Sequence, residues 1–127
     1  MGIEERQMNY SNIVIDHFEK PRNVIEGCDE SALSGRAGSK SAGMLVEFCL
    51  DVSDGVIEHA GFRAWGCPHT IAVASWLTEE ITGKGINEVQ SLDLDMIASQ
   101  LELPAEKWNC VLMAEDALRD ATKGTSH

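Results

Sequence analysis

The chain has 127 residues, 43 % of them apolar, and carries 21 acidic against 10 basic residues for a formal charge of −11. That size supports one domain with a real core. The negative charge excludes a nucleic-acid surface and an anionic membrane surface, which both call for Lys and Arg. No apolar run approaches the roughly 20 residues that span a bilayer. The charged start MGIEERQ is no secretory signal, so the cytoplasm is the expected compartment.

Tyr10, Val14 and Phe18 recur at helical spacing, and Pro21 ends that stripe. Residues 23–41 are polar and rich in Gly and Ser, and SALSGRAG within them predicts a short strand followed by a flexible loop. Residues 44–52 alternate. Val46, Phe48, Leu50 and Val52 point one way, and Glu47, Cys49 and Asp51 the other, which predicts a half-buried strand. Ser53-Asp54-Gly55 reads as a hairpin turn into a return strand over 56–65, where Gly61 suggests a bulge.

Helical spacing then takes over. One helix runs from near Cys67 to a C′ glycine at Gly83, and a short piece follows at 86–92. Asp93 caps another helix through Leu101. After a break at Pro104 the last helix covers about 105–121. It carries a bulky stripe of Trp108, Val111, Leu112 and Leu118 beside a small one of Cys110, Ala114, Ala117 and Ala121. A small stripe lets another element approach closely. Met44, Leu45, Trp76 and Leu77 read as core. Helices after an antiparallel meander predict an α+β fold, with the helices on one face of the sheet.

The cysteines are Cys28, Cys49, Cys67 and Cys110. The chain is neither tiny nor rich in cysteine, so no disulfide framework is expected. Cys28, in a loop, and Cys49, on a polar strand face, receive no role. Cys67 precedes Pro68, which fits the first helical position. Cys67 then sits at the N-cap, where unpaired N–H groups and the helix dipole favour a thiolate. A small buried residue at a strand-to-helix corner fits that position equally well. His69, two residues on, can face the same opening. A Cys/His pair of this kind suits metal ligation or nucleophilic catalysis, although such a histidine is more often simply exposed. Cys110 can reach Cys67 if the two helix starts converge; spacing alone favours a small core residue.

The segments NYSNIVIDHFEKPRNV, GFRAWGCPHTIAVAS, LELPAEK and NCVLMAEDAL, in that order, resemble the IscU/NifU-N family of iron–sulfur cluster assembly scaffolds. The resemblance covers residues 8–127 and leaves 1–7 as an N-terminal extension. It implies an α+β fold with a three-stranded antiparallel sheet packed by helices. It implies a scaffold or carrier rather than an enzyme, which accepts persulfide sulfur from a cysteine desulfurase and binds iron or a [2Fe–2S] cluster. Cys67 and Cys110 match two of the family's cysteines, with Cys110 the expected sulfur acceptor. His69 is a third candidate metal ligand, and zinc would compete for such donors.

The ligand set departs from the family. Ala42 stands where the family has its first cysteine, Met44 where it has an aspartate, and Asn109 where it has a histidine. Cluster iron takes thiolates, usually four, and this chain offers two. A homodimer would supply four, His69 or a partner could fill in, or the chain carries no cluster. In the last case it is a scaffold-like paralogue that binds and regulates the desulfurase. The stretch the family presents to an Hsp70-type chaperone reads Leu103-Pro104-Ala105-Glu106-Lys107, and the charge on Glu106 implies a weakened contact. A thiol enzyme with Cys67 as nucleophile and His69 as base ranks last, since no residue is evident to orient the histidine.

Overall fold

Strict alternation builds the sheet. In the computed structural model, which describes residues 10–29, 32–39 and 41–123, strands β1 (Leu33–Ser39), β2 (Met44–Ser53) and β3 (Val56–Trp65) pair antiparallel in the order β1-β2-β3. The expected 1–7 extension lies outside the described residues. Val46, Phe48 and Leu50 turn inward with Ala60 and Phe62, and Phe48 faces Phe62 in register.

Helix α1 (Asn12–Glu19) precedes the sheet. After it come α2 (Pro68–Ile81), α3 (Ile86–Gln90), α4 (Leu94–Gln100), a 3₁₀ turn (Ala105–Lys107) and α5 (Trp108–Thr122). Helices α2 and α5 bury Val73, Leu77, Val111, Ala114 and Leu118 against the inner sheet face, so the predicted α+β architecture is the observed one. The last helix starts at Trp108 rather than 105, because Pro104 opens the 3₁₀ turn. Its bulky stripe is split: Val111 and Leu118 are buried, while Trp108 and Leu112 face outward.

The small stripe does what its spacing predicts. Cys110, Ala114, Ala117 and Ala121 are all buried, and α5 lies directly on the backbone of β1 at Gly35. A Cβ at Gly35 would overlap the Ala121 amide nitrogen and the Ala117 carbonyl oxygen.

The outer face is covered differently. Arg36, Glu47 and Arg63 stand in register across the three strands, and Glu47 pairs with both arginines. The chain after α1 runs along the free edge of β3, where Ile25 N–H donates to Phe62 O (2.9 Å) and Phe62 N–H to Asn23 O (3.0 Å). It then crosses the outer face toward β1. A disulfide between Cys28 and Cys49, Cα–Cα 5.7 Å, pins the crossing. The two cysteines without an assigned role are therefore partners, brought together by a crossing that no local pattern announces. Gly61 is not a bulge. It pairs regularly with Cys49, the irregularity falls between Asp51 and Val52, and Ile25 passes over the space a Gly61 side chain would need. The expected flexible loop after β1 is short, with residues 41–43 in a turn.

Helix α1 rests on α2 through His17, whose Nδ1 lies 2.8 Å from Ser75 Oγ. Burial, ahead of the nearby Arg22, holds the His17 pKa below the ordinary imidazole value of 6.5. Burial also lowers that of His69, helped by Lys107. A folded-state pKa below the unfolded one means that the unfolded chain takes up protons first. The associated stability is fully present above about pH 6.5 and is lost as the pH falls below it. Urea melts should therefore show lower stability at pH 5.0 than at pH 7.5. The difference should shrink in His17→Gln and His69→Gln, and equal pH dependence in all three proteins would refute this.

Candidate functional site

Strand β3 ends at Trp65, and the chain turns through Gly66, φ +149°, into Cys67. A side chain at Gly66 would run into Thr70, so the corner requires glycine. Cys67 is the extended N-cap residue of α2, with Pro68 at the first helical position, as the sequence predicts. The 3₁₀ turn then delivers Lys107 and the first turn of α5 delivers Cys110 to the same spot.

Thr70 joins the two cysteines. Its Oγ1 lies 3.5 Å from Cys67 Sγ and 3.5 Å from Cys110 Sγ, and the Lys107 ammonium is 3.8 Å from Cys67 Sγ. The two thiols thus flank a single hydroxyl. Burial pushes the Cys67 thiol up. The Thr70 hydroxyl, the Thr70 and His69 backbone N–H groups and Lys107 outweigh it, so its pKa lies below the ordinary value, although no regular side-chain cap bond closes. Burial raises Cys110, and the neighbouring Cys67 charge adds to that. Either partner can donate in each contact, so the Thr70 hydroxyl can carry a proton between the two sulfurs. Cys67 is half-buried, whereas Cys110 is 1 % exposed.

His69 takes a different place. Its ring packs against Tyr10, centroids 4.7 Å apart and tilted 41°, and is almost fully buried. Among the described residues neither ring nitrogen finds a hydrogen-bond partner. Nor, among them, are three His, Cys, Asp or Glu side chains grouped closely enough to hold a metal ion. The structure thus unites Cys67 and Cys110 at Thr70, while His69 turns its ring to Tyr10. Ala42 and Asn109 are exposed and Met44 half-buried, so the altered positions bring no thiolate, carboxylate or imidazole. Sequence reasoning passed over Thr70 and saw Lys107 only within the chaperone-type stretch. Thr70 had a signal, since it lies three residues after an N-cap, on the face that looks back at it.

The model of the NifU-like N-terminal domain matches residues 9–125. The chain belongs to that family. The iron–sulfur cluster assembly scaffold protein IscU of Escherichia coli K12 is 42 % identical over 117 residues, spanning 90 % of this chain and 91 % of its own. The iron–sulfur cluster assembly protein IscU of Plasmodium falciparum is 41 % identical over 117 residues, 91 % of this chain and 72 % of its own. The fold matches that of a nitrogen-fixing NifU-like protein (N-terminal) from Brucella abortus, with a TM-score of 0.68 at 17 % identity over 89 % of this chain and 91 % of that one. The NifU-like domain here keeps two sulfur positions at the meeting of two helix starts. Among the described residues, no helix is long and apolar enough to cross a membrane.

Proposed function

We propose that this chain is an iron–sulfur cluster assembly scaffold or carrier, not an enzyme, that accepts persulfide sulfur and holds iron or a [2Fe–2S] cluster as cargo. The observation that carries the reading is the pair of sulfurs on one Thr70 hydroxyl beside Lys107, in a chain 42 % identical to a named scaffold. Cys67 is the better acceptor of persulfide sulfur, because it is half-buried beside a cation while Cys110 is enclosed. This reverses the expectation that Cys110 takes the sulfur first. The donor would be a cysteine desulfurase. The unpartnered His69 ring is the nearest candidate third ligand if it swings from Tyr10, and a second copy of the chain is the other source of donors. Zinc would compete for the same sulfurs. Leu103–Lys107 would meet an Hsp70-type chaperone weakly, since Glu106 is exposed on it.

Anaerobic reconstitution with ferrous iron and sulfide tests this reading. The expected result is a visible absorption band and acid-labile sulfide in the parent protein, with both lost in Cys67→Ala. A colourless, iron-free product overturns it. Ala42 and Asn109, exposed and without thiolate or imidazole, favour one alternative, a cluster-free regulator of the desulfurase. That alternative predicts desulfurase binding that survives loss of both Cys67 and Cys110.

A further inference from the structure

We infer that Cys67 and Cys110 act in succession on a single sulfur atom: Cys67 accepts it, and Cys110 expels it as sulfide, leaving a Cys67–Cys110 disulfide. The inference rests on the persulfide reading above and adds a chemical step to it.

Three features carry it. The two sulfurs flank one hydroxyl, each 3.5 Å from Thr70 Oγ1, whereas a complete cluster cage needs more donors than converge here. Two adjacent thiols do suffice for a disulfide. Their exposure also differs. Cys67 is half-buried and can meet a donor, while Cys110, 1 % exposed, is enclosed beside Thr70. A persulfide on Cys67 therefore meets Cys110 before any dissolved thiol. Lys107, 3.8 Å from Cys67 Sγ, steadies the negative charge that such an exchange places there.

The chemistry balances. A persulfide donor RSSH gives its outer sulfur to the Cys67 thiol; the donor S–S bond breaks, and RSH and Cys67–SSH result. The Cys110 sulfur then attacks Cys67 Sγ. A Sγ–Sγ bond forms, the bond to the outer sulfur breaks, and that sulfur leaves with the electron pair. Thr70 takes the Cys110 proton and passes its own to the departing sulfide. The sulfane sulfur gains two electrons, and the two cysteine sulfurs together lose two. A dithiol reductant of the thioredoxin type returns the pair to thiols. Without it each chain turns over once, as befits a carrier. Sulfide made beside the donors would be available to iron without a separate electron source at the moment of release.

The test uses the whole chain, reduced at Cys67 and Cys110, treated briefly without oxygen with inorganic polysulfide and then desalted. Released sulfide is trapped with a bimane reagent, and peptides are mapped by mass. The expected result is one sulfide per chain and a peptide pair joined through Cys67 and Cys110. Cys110→Ser should hold the extra sulfur on Cys67 and release at least tenfold less over the same interval. Thr70→Val, once loaded, should release its sulfur several-fold more slowly than the parent protein. A stable persulfide on Cys67 in the parent protein, or equal release from Cys110→Ser, overturns the inference while leaving sulfur acceptance standing. Failure of the parent protein to take up any sulfur overturns both. The joined peptide is read in the parent protein, so the outcome does not depend on how well Cys110→Ser folds.

Discussion

Gly35→Val should destabilise the protein by at least about 3 kcal/mol and lower its melting temperature by about 10 °C. The new side chain would have to occupy space already filled by the Ala117 carbonyl and the Ala121 amide of α5. Those are backbone atoms of the last turns of α5 and cannot rotate aside, so that end of the helix must lift from the sheet. Gly27→Ala is the matching control. No atom lies within 4 Å of the Cβ it would add, and its melt should stay close to that of the parent. The consequence reaches the sulfur pair, because Cys110 rides on the same helix and the same small stripe. Lifting α5 should part Cys110 from Thr70, and polysulfide-treated Gly35→Val should give less of the Cys67–Cys110 peptide than the parent. A melt within about 2 °C of the parent would mean that α5 does not sit on β1 as described.

Reducing the Cys28–Cys49 bond should lower stability by about 3 kcal/mol, the chain-entropy expectation for a bridge closing a loop of this length. The two cysteines are 21 residues apart in sequence. The effect should be largest where the crossing segment meets β3. The Ile25 and Phe62 amides, bonded across that edge, should exchange with deuterium faster once the bridge is reduced. Melts with and without reductant should differ by about 10 °C, and the difference should persist in a Cys67→Ser/Cys110→Ser protein. That persistence assigns it to the outer-face bridge. If the Cys28→Ser/Cys49→Ser protein melts like the oxidised parent, the bridge does not stabilise the fold.

Much of the fold is legible because its signals are local and periodic. Val46, Phe48 and Leu50 alternate, Pro68 marks a helix start, Asp93 caps a helix, and Ala114, Ala117 and Ala121 keep one face small. What escaped is long-range. Cys28 and Cys49 look idle until the chain crosses the outer face, and Gly61 looks like a bulge until Ile25 is laid over it. The site divides along the same line. Cys67 was readable from the proline behind it, and the meeting with Cys110 was a stated condition that the structure fulfils. Thr70 and Lys107 act only because two helix starts converge, which no spacing along the chain expresses. His69 lay close to Cys67 in sequence, but a residue just past an N-cap can turn its ring elsewhere, and here it meets Tyr10.

Of the chain's three tryptophans, Trp76 is buried in the core, while Trp65 and Trp108, each 39 % exposed, flank the sulfur pair in sequence at the end of β3 and the start of α5. Indole emission shifts to longer wavelength with water contact and is quenched by nearby iron or by chromophoric cargo. The protein therefore carries its own optical reporter. Under the proposed function, the red side of the emission should respond to cargo at the two cysteines, and the blue side to the integrity of the core. Loading and unfolding should then be distinguishable in one spectrum, without a label and without altering either thiol.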